Sequence, residues 1–239
     1  MAYKKLLVDL LQPVIENLSL EINILETITN EDESISIIVD DLKWLQPGFK
    51  VTIGDNQYTI ISIENCTINF KETEEIIAEN FNIYKPFFFH GTPRSTNQEI
   101  TQEADAFKKT PMFWLLDNFE EEEHLDESNP IERETTPQLF ALTQGDFDKQ
   151  YDDIKQDAIA PMSRMMQILT EELRKSTSPF NMRDENGNDV SIRTYRNHYK
   201  FGVYITNKGI DKSMFADNLS GVESRIPLRI KRKYLCKEC

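Results

Sequence analysis

The groups in this chain best able to do chemistry are four consecutive carboxylates, Glu120, Glu121, Glu122 and Glu123. Carboxylate oxygens bind hard cations. A calcium loop, however, spaces its ligands at alternate positions and turns on a glycine, and this run does neither. A run of like charge is ordinarily a solvated or partner-facing acid surface, and that is the expectation here. Asp184-Glu185-Asn186-Gly187-Asn188 also has the look of a calcium loop, but Arg193 and Arg196 follow where the closing glutamate is needed. Cys236 and Cys239 form a C-x-x-C pair at the chain end. A structural zinc needs four ligands and no second pair exists, so a bystander tail is expected unless two subunits share a site. The three histidines, His90, His124 and His198, are dispersed. His90, beside an aromatic run, is expected to be packed and hydrogen-bonded. Nothing sets a nucleophile beside a base or builds a phosphate loop, which disfavours an enzyme. No catalytic, cofactor-binding or metal residue is assigned, and no cofactor is expected.

The elements that would carry these groups divide the chain into three parts. Residues 1–16 predict a helix, with Leu6, Leu7, Leu10, Leu11 and Val14 at helical spacing and Pro13 set to kink or end it. Residues 17–90 switch to strand period. Leu18, Leu20, Ile22 and Ile24 alternate, ISIIVDDL follows a polar turn, and Gly54-Asp55-Asn56 joins FKVTI to QYTIISI as a hairpin. About six short strands predict a small barrel or sandwich, with one helix over 73–80 and with Phe81, Ile83 and Phe87 facing in. Single-stranded nucleic acid needs basic and aromatic residues together, and this module is acidic, so such binding is disfavoured. Alternation buries at most two of Phe87, Phe88 and Phe89 on one face. The rest calls for a second layer or another subunit.

Residues 91–239 predict alternating helices and strands. Thr110 and Pro111 have the form of a helix start, with Met112, Leu115, Leu116 and Phe119 on one face and Trp114 off it, as a subunit contact. Leu139–Thr143 predicts a central strand. Asp146 would cap a helix with Phe147, Tyr151 and Ile154 inward. Pro161 would start the next, with a stripe of Met162, Met165, Met166, Leu169 and Leu173 in the core. A strand KFGVYIT, a connection with one short helix, and a last strand IPLRIKRKYL complete the set. Arg229, Lys231 and Lys233 mark that strand as either a protected edge or a contact for acid groups.

Composition narrows the class further. Hydrophobic residues make up 39% of 239, enough for a core, and no apolar run reaches the ~18 residues a membrane helix needs. No signal peptide or disulfide framework is indicated, and a cytoplasmic assembly setting is expected. The net charge of −14 is uneven. Residues 111–135 hold nine acids and one base, whereas residues 201–239 hold eight bases and four acids. Acid front and basic tail suggest complementarity between copies or layers.

The order of elements from Thr110 to Tyr234 resembles the head-to-tail connector and tail-completion group of tailed bacteriophages. The pieces are a P-x-x-W-L-L-like helix running into acids, a short strand, a helix with Tyr151, a Pro-initiated helix from Pro161, FGVYITNKG, the ADN segment and a basic final strand. The FFFHGT junction with its preceding β-module is similar to neck ring proteins of crAss-like phages. Together with the β-rich module read at 17–90, which departs from the minimal connector fold, that resemblance implies an α+β fold, with a small β-barrel-like N-terminal module followed by an α/β tail-completion-like domain. It implies a structural virion protein, assembled in the host cytoplasm, that forms a ring of about six or twelve copies between portal and tail. The genome would pass through the lumen without sequence-specific contacts, and no membrane would be involved. The candidate interface residues are Phe87, Phe88, Phe89, Trp114, Glu120–Glu123, Arg229, Lys231 and Lys233. The alternative is a soluble adaptor or chaperone that escorts assembly and leaves.

Overall fold

The computed structural model describes residues 7–30, 34–72, 76–95, 110–116, 121–126, 129–183, 188–190, 192, 196–206, 210–215, 218–231 and 234; along 121–132 and at 211 it describes the backbone alone. The fold is mixed α and β, and mostly β. Helix α1 (Leu7–Glu16) buries Leu7, Leu10, Leu11 and Ile15 at helical spacing. It runs through Pro13, which was expected to kink or end it. Pro13 removes one amide donor, but its carbonyl still accepts from Asn17 at 3.1 Å, and buried Ile15 anchors the last turn.

Six strands then close a barrel: β1 (Glu21–Thr29), β2 (Ile35–Val39), β3 (Lys50–Ile53), β4 (Asn56–Glu64), β5 (Thr67–Phe70) and β6 (Asn80–Asn82), in the order β1-β2-β5-β4-β3-β6. Alternation makes the barrel core. Ile22, Ile35, Ile37, Val51, Ile53, Tyr58, Ile60, Ile68, Phe70 and Phe81 all point inward. Closure runs through Ile22 opposite Phe81 and Thr52 opposite Asn82. The β3–β4 turn falls at Gly54, whose φ of +60° suits glycine. The helix expected over 73–80 does not form in its described part. The Ile24 amide bonds Glu79 O at 2.8 Å and Ile76 is buried, so the chain is held extended against β1. Residues 73–75 lie outside the described residues.

The FFF run leaves the barrel. Strand β7 (Phe87–Gly91) pairs in parallel with β8 (Met112–Leu116) at one edge of a five-stranded sheet. Thus β8 is a strand, not the helix that Thr110-Pro111 suggested. Met112, Phe113, Trp114 and Leu115 are all buried, on both faces of the sheet. A run that is apolar at every position satisfies periods of 2 and 3.6 alike, and its aromatic content favours strand. Phe119 lies outside the described residues.

Three further strands enter here: β9 (Glu121–Asp126), β10 (Asn129–Thr135) and β11 (Gln138–Gln144). Strand β11 is central, as Leu139–Thr143 predicts. A helical segment follows: α2 (Tyr151–Ile154), a π turn (Lys155–Ile159) and α3 (Ala160–Arg174). Asp146 caps a turn instead of the helix, accepting from the Asp148 amide at 3.1 Å. Tyr151 was expected to face inward but is 62% exposed; only Ile154 of that trio is fully buried. The Met stripe is core, with Met162, Met165, Met166, Leu169 and Leu173 each at 0% exposure.

The remaining strands are β12 (Phe180–Asn181), β13 (Arg196–Phe201), β14 (Val203–Ile205), β15 (Asp211–Ser213), β16 (Leu219–Arg225) and β17 (Leu228–Ile230). They complete the five-stranded sheet β13-β16-β11-β8-β7, a four-stranded sheet β12-β17-β10-β9 and a separate ribbon β14-β15. The connection expected to carry one short helix instead supplies β15 and β16, and no helix lies among its described residues. Strands β10 and β11 are joined across Pro137, and β16 and β17 across Pro227. Thr135 opposes Leu228 on one side of these prolines, and Gln138 opposes Arg225 on the other. One long antiparallel ribbon is therefore creased where both strands lack a proline amide, and its halves join different sheets.

A single hydrophobic cluster links α1, the barrel, α3 and the inner face of the large sheet. Polar ties reinforce it. Gln46 of a barrel loop donates to Thr143 Oγ1 of β11 at 2.5 Å, and Arg164 of α3 forks onto Asp41 at 2.8 and 3.3 Å. A second cluster fills the outer face with Met112, Trp114, Phe140, Leu142, Phe201, Phe215 and Leu219.

Candidate subunit interface

Of the residues singled out in the sequence, Phe87 keeps a free surface. It is 41% exposed on β7, which corrects the inward placement expected for it, and it stacks on Phe89 at 5.9 Å. Phe88 packs against the main core and Phe89 against the aromatic cluster, so the sheet itself supplies the second layer. Among the described residues β7 pairs only with β8, which makes it an open edge. His90 lies exposed on this strand, not packed as expected.

Trp114 offers no contact surface. It is 1% exposed, its Nε1 donates to Gly91 O at 3.1 Å, and its ring meets Phe140, Phe201 and Phe215 at 4.9–6.0 Å. Strand alternation put it on the aromatic face of the sheet, where helix geometry would have turned it away.

The acid run and the basic last strand come together in one sheet. Glu121, Glu122 and Glu123 lie on β9, opposite Thr135, Glu134 and Arg133 of β10. Across β10, Glu134 opposes Arg229 of β17. Arg229 donates to Glu134, so this cation is satisfied within its own chain. Lys231 donates to Ser176 O at 3.0 Å and Ser178 O at 2.7 Å. Strand β17 lies between β12 and β10, so it is an inner strand and not an edge. Among the described residues the acid run lies on β9, an edge strand of this sheet. Glu120, Lys233, Cys236 and Cys239 lie outside the described residues, as do four positions of the proposed 184–188 loop tip.

Asp41 is the clearest electrostatic point. Partial burial alone would raise its carboxyl, but the Arg164 hydrogen bond, the Lys43 amide and both cations outweigh that and hold it below its ordinary 3.8. The same contact raises Arg164.

Two features were not legible beforehand. Glu223, only 8% exposed, accepts from Gln138 at 2.6 Å and pairs with His198 Nε2 at 2.9 Å. It clamps β11, β16 and β13 together, with the imidazole among Phe140 and Phe201. The second is the ribbon β14–β15. In it and at its ends Tyr204 is 49%, Ile205 73%, Ile210 57% and Met214 47% exposed, and among the described residues its strands pair only with each other. Its signal was present, since Val203–Ile205 and Asp211–Ser213 flank Asn207-Lys208-Gly209, a turn-prone triplet. A small cleft of about 230 Å³ lies between Glu134, Asn181, Arg183 and Arg229, and both cations are paired within the chain, Arg229 with Glu134 and Arg183 with Asp189 at 3.9 Å. Among the described residues no group of three His, Cys, Asp or Glu could hold a metal ion, and no helix is long and apolar enough to cross a membrane. Compared with known proteins, the chain matches no family model, no curated protein and no solved structure.

Proposed function

We propose that this chain is a structural subunit that assembles with its own copies into a ring, in the neck or tail of a phage virion between portal and tail. The observation that carries the reading is the large sheet's two unlike edges. One ends in the open strand β7 with Phe87 exposed, and the other continues through β13 into a ribbon with four exposed apolar side chains. Soluble monomers seldom leave such surfaces uncovered, and unlike surfaces on opposite edges suit head-to-tail contacts. On this reading the barrel is an N-terminal module set on an α/β connector-like unit, and no catalysis is assigned. The virion setting rests on the resemblance of element order, of which the central strand β11 and the helices at Tyr151 and Pro161 remain, whereas its leading helix is the strand Met112–Leu116.

Quantitative mass spectrometry of purified particles tests it. A fixed copy number per particle, in the same multiple across preparations, is the expected result. Presence in infected cells but absence from particles would overturn it in favour of an escort that leaves.

A further inference from the structure

We infer that the rim formed by β7 and β9 pairs with the same rim of a second copy about a two-fold axis, β7 of each against β9 of the other. This contact is separate from those of the ring reading and does not rest on them. Three observations lead there. First, the rim is stepped. Strands β10 and β11 form one side of the creased ribbon, and β9 and β8 flank them on the side away from β17 and β16. Beyond β8 lies β7, whereas among the described residues no strand lies beyond β9. Both edge strands therefore look the same way, and β7 projects one strand spacing further, about 4.8 Å. The crease end of β7 is Gly91, opposite Leu116, and the crease end of β9 is Glu121, opposite Thr135. A two-fold axis through the crease sets the projecting β7 of each copy into the recess beside β9 of the other, and the two steps interlock.

Second, the strand directions suit. Strands β8 and β9 are both antiparallel to the run of β10 and β11, and β7 is parallel to β8. Within one chain β7 and β9 thus point the same way. The two-fold reverses one of them, so each contact is an antiparallel ladder, the more stable kind.

Third, charge favours a second copy as the occupant. The segment 80–95 around β7 carries Lys85, His90 and Arg94, all exposed, and no acid. Strand β9 carries Glu121, Glu122, Glu123 and Asp126 and no Lys or Arg. Of the β10 residues opposite those acids only Arg133 is basic, and Glu122 is opposite Glu134, which Arg229 already holds. Like charges directly opposite weaken a ladder, so β9 gains from cations on its outer side. The interlocked steps bring the Arg94 end of β7 to Glu121–Glu123 and its Lys85 end to Asp126. Pairing β7 with β7, or β9 with β9, would set like charges together. Backbone hydrogen bonds hold the contact and the charges select it. Phe87 stays on the outer face of the sheet with Phe89, where ring contacts can use it, and a ring of copies paired in this way holds an even number of them.

The test uses two variants of the whole chain: Lys85→Glu with Arg94→Glu beside β7, and Glu121→Lys with Glu123→Lys on β9. Circular dichroism melts check that each stays folded. If a reversed pair lowers Tm, the glutamine pair replaces it and hydrogen exchange decides. Native mass spectrometry reads assembly, and wild type should occur in even multiples of one chain. Each variant alone should pair about tenfold more weakly. Mixed one to one, the variants carry opposite charge on both strands of the rim, so pairs with one copy of each should form about as tightly as wild type. Hydrogen exchange should slow together in Phe87–Gly91 and Glu121–Asp126 as wild-type pairs form. If either variant assembles like wild type, the two-fold contact is wrong while the ring reading stands. A mixture that fails to pair, slowing in one strand alone, or a wild-type assembly of odd copy number also overturns it. Wild type that stays a single chain removes the two-fold contact and the ring reading together.

Discussion

Gly221 shows how much one residue can decide in this fold. A Cβ built there would lie 2.0 Å from the carbonyl oxygen of Ala141 and 3.0 Å from Leu142 Cα, both backbone atoms that cannot step aside. Gly221→Ala should therefore cost about 3 kcal/mol, at the upper end of overpacking effects, because the β11–β16 ladder would have to part. Urea unfolding would read it, and a change under about 0.5 kcal/mol would contradict the close approach. Asp41 sets a pH dependence. Its folded pKa is depressed, so its stabilisation is present above its ordinary value of 3.8 and is lost as pH falls through the lower folded value. Asp41→Asn should destabilise at pH 7 by about 0.5–1 kcal/mol, as expected of a partly exposed pair, and leave little difference from wild type near pH 2. A difference that grew on acidification would reverse the sign of this contact.

At the scale of elements, the two tryptophans Trp44 and Trp114 are each 1% exposed and sit inside the chain's own layers. Tryptophan emission should therefore be blue-shifted and should not move when assemblies are diluted into single chains. A red shift on dilution would return Trp114 to an interface. The creased ribbon also settles where the charges go. Arg229→Glu should cost about 2 kcal/mol of folding stability, as for a hydrogen bond to a charged partner, because it turns on Glu134 in its own sheet. Adding Glu134→Arg should recover most of that loss in a double-mutant cycle. No recovery would mean that Arg229 acts elsewhere.

These same elements show what the sequence could carry. The barrel strands were legible because one face is buried and the other wet, so the side chains alternate. Helix α3 was legible because its Met and Leu residues recur on one stripe. The segment Met112–Leu116 was not, since every position is apolar and no period stands out. Strand β16 was hidden by Gly221, Ser220 and Glu223, whose burial depends on Ala141, Tyr199, His198 and Gln138 far away in sequence. The pairing of Arg229 with Glu134 was out of reach, because strand register across a crease is a property of the sheets and not of either segment. Of the candidate interface, Phe87 was legible as an apolar excess at a junction, whereas Ile205 and Ile210 read as an ordinary strand and turn.

At the scale of the whole molecule, one shared core joins the barrel, α1, α3 and the large sheet, so the chain presents its edges as parts of one packed body. A net charge of −14 holds copies apart at low salt unless specific contacts overcome it. With exposed apolar edges supplying the attraction, assembly should therefore strengthen from about 20 to 150 mM salt as that repulsion is screened. The central claim is that copies of this chain join one another in a closed ring. Native mass spectrometry of the isolated wild-type chain at micromolar concentration tests it most directly. The expected result is one dominant species at a fixed integer multiple of 27.9 kDa. A single peak at the mass of one chain, unchanged as concentration rises, would contradict it.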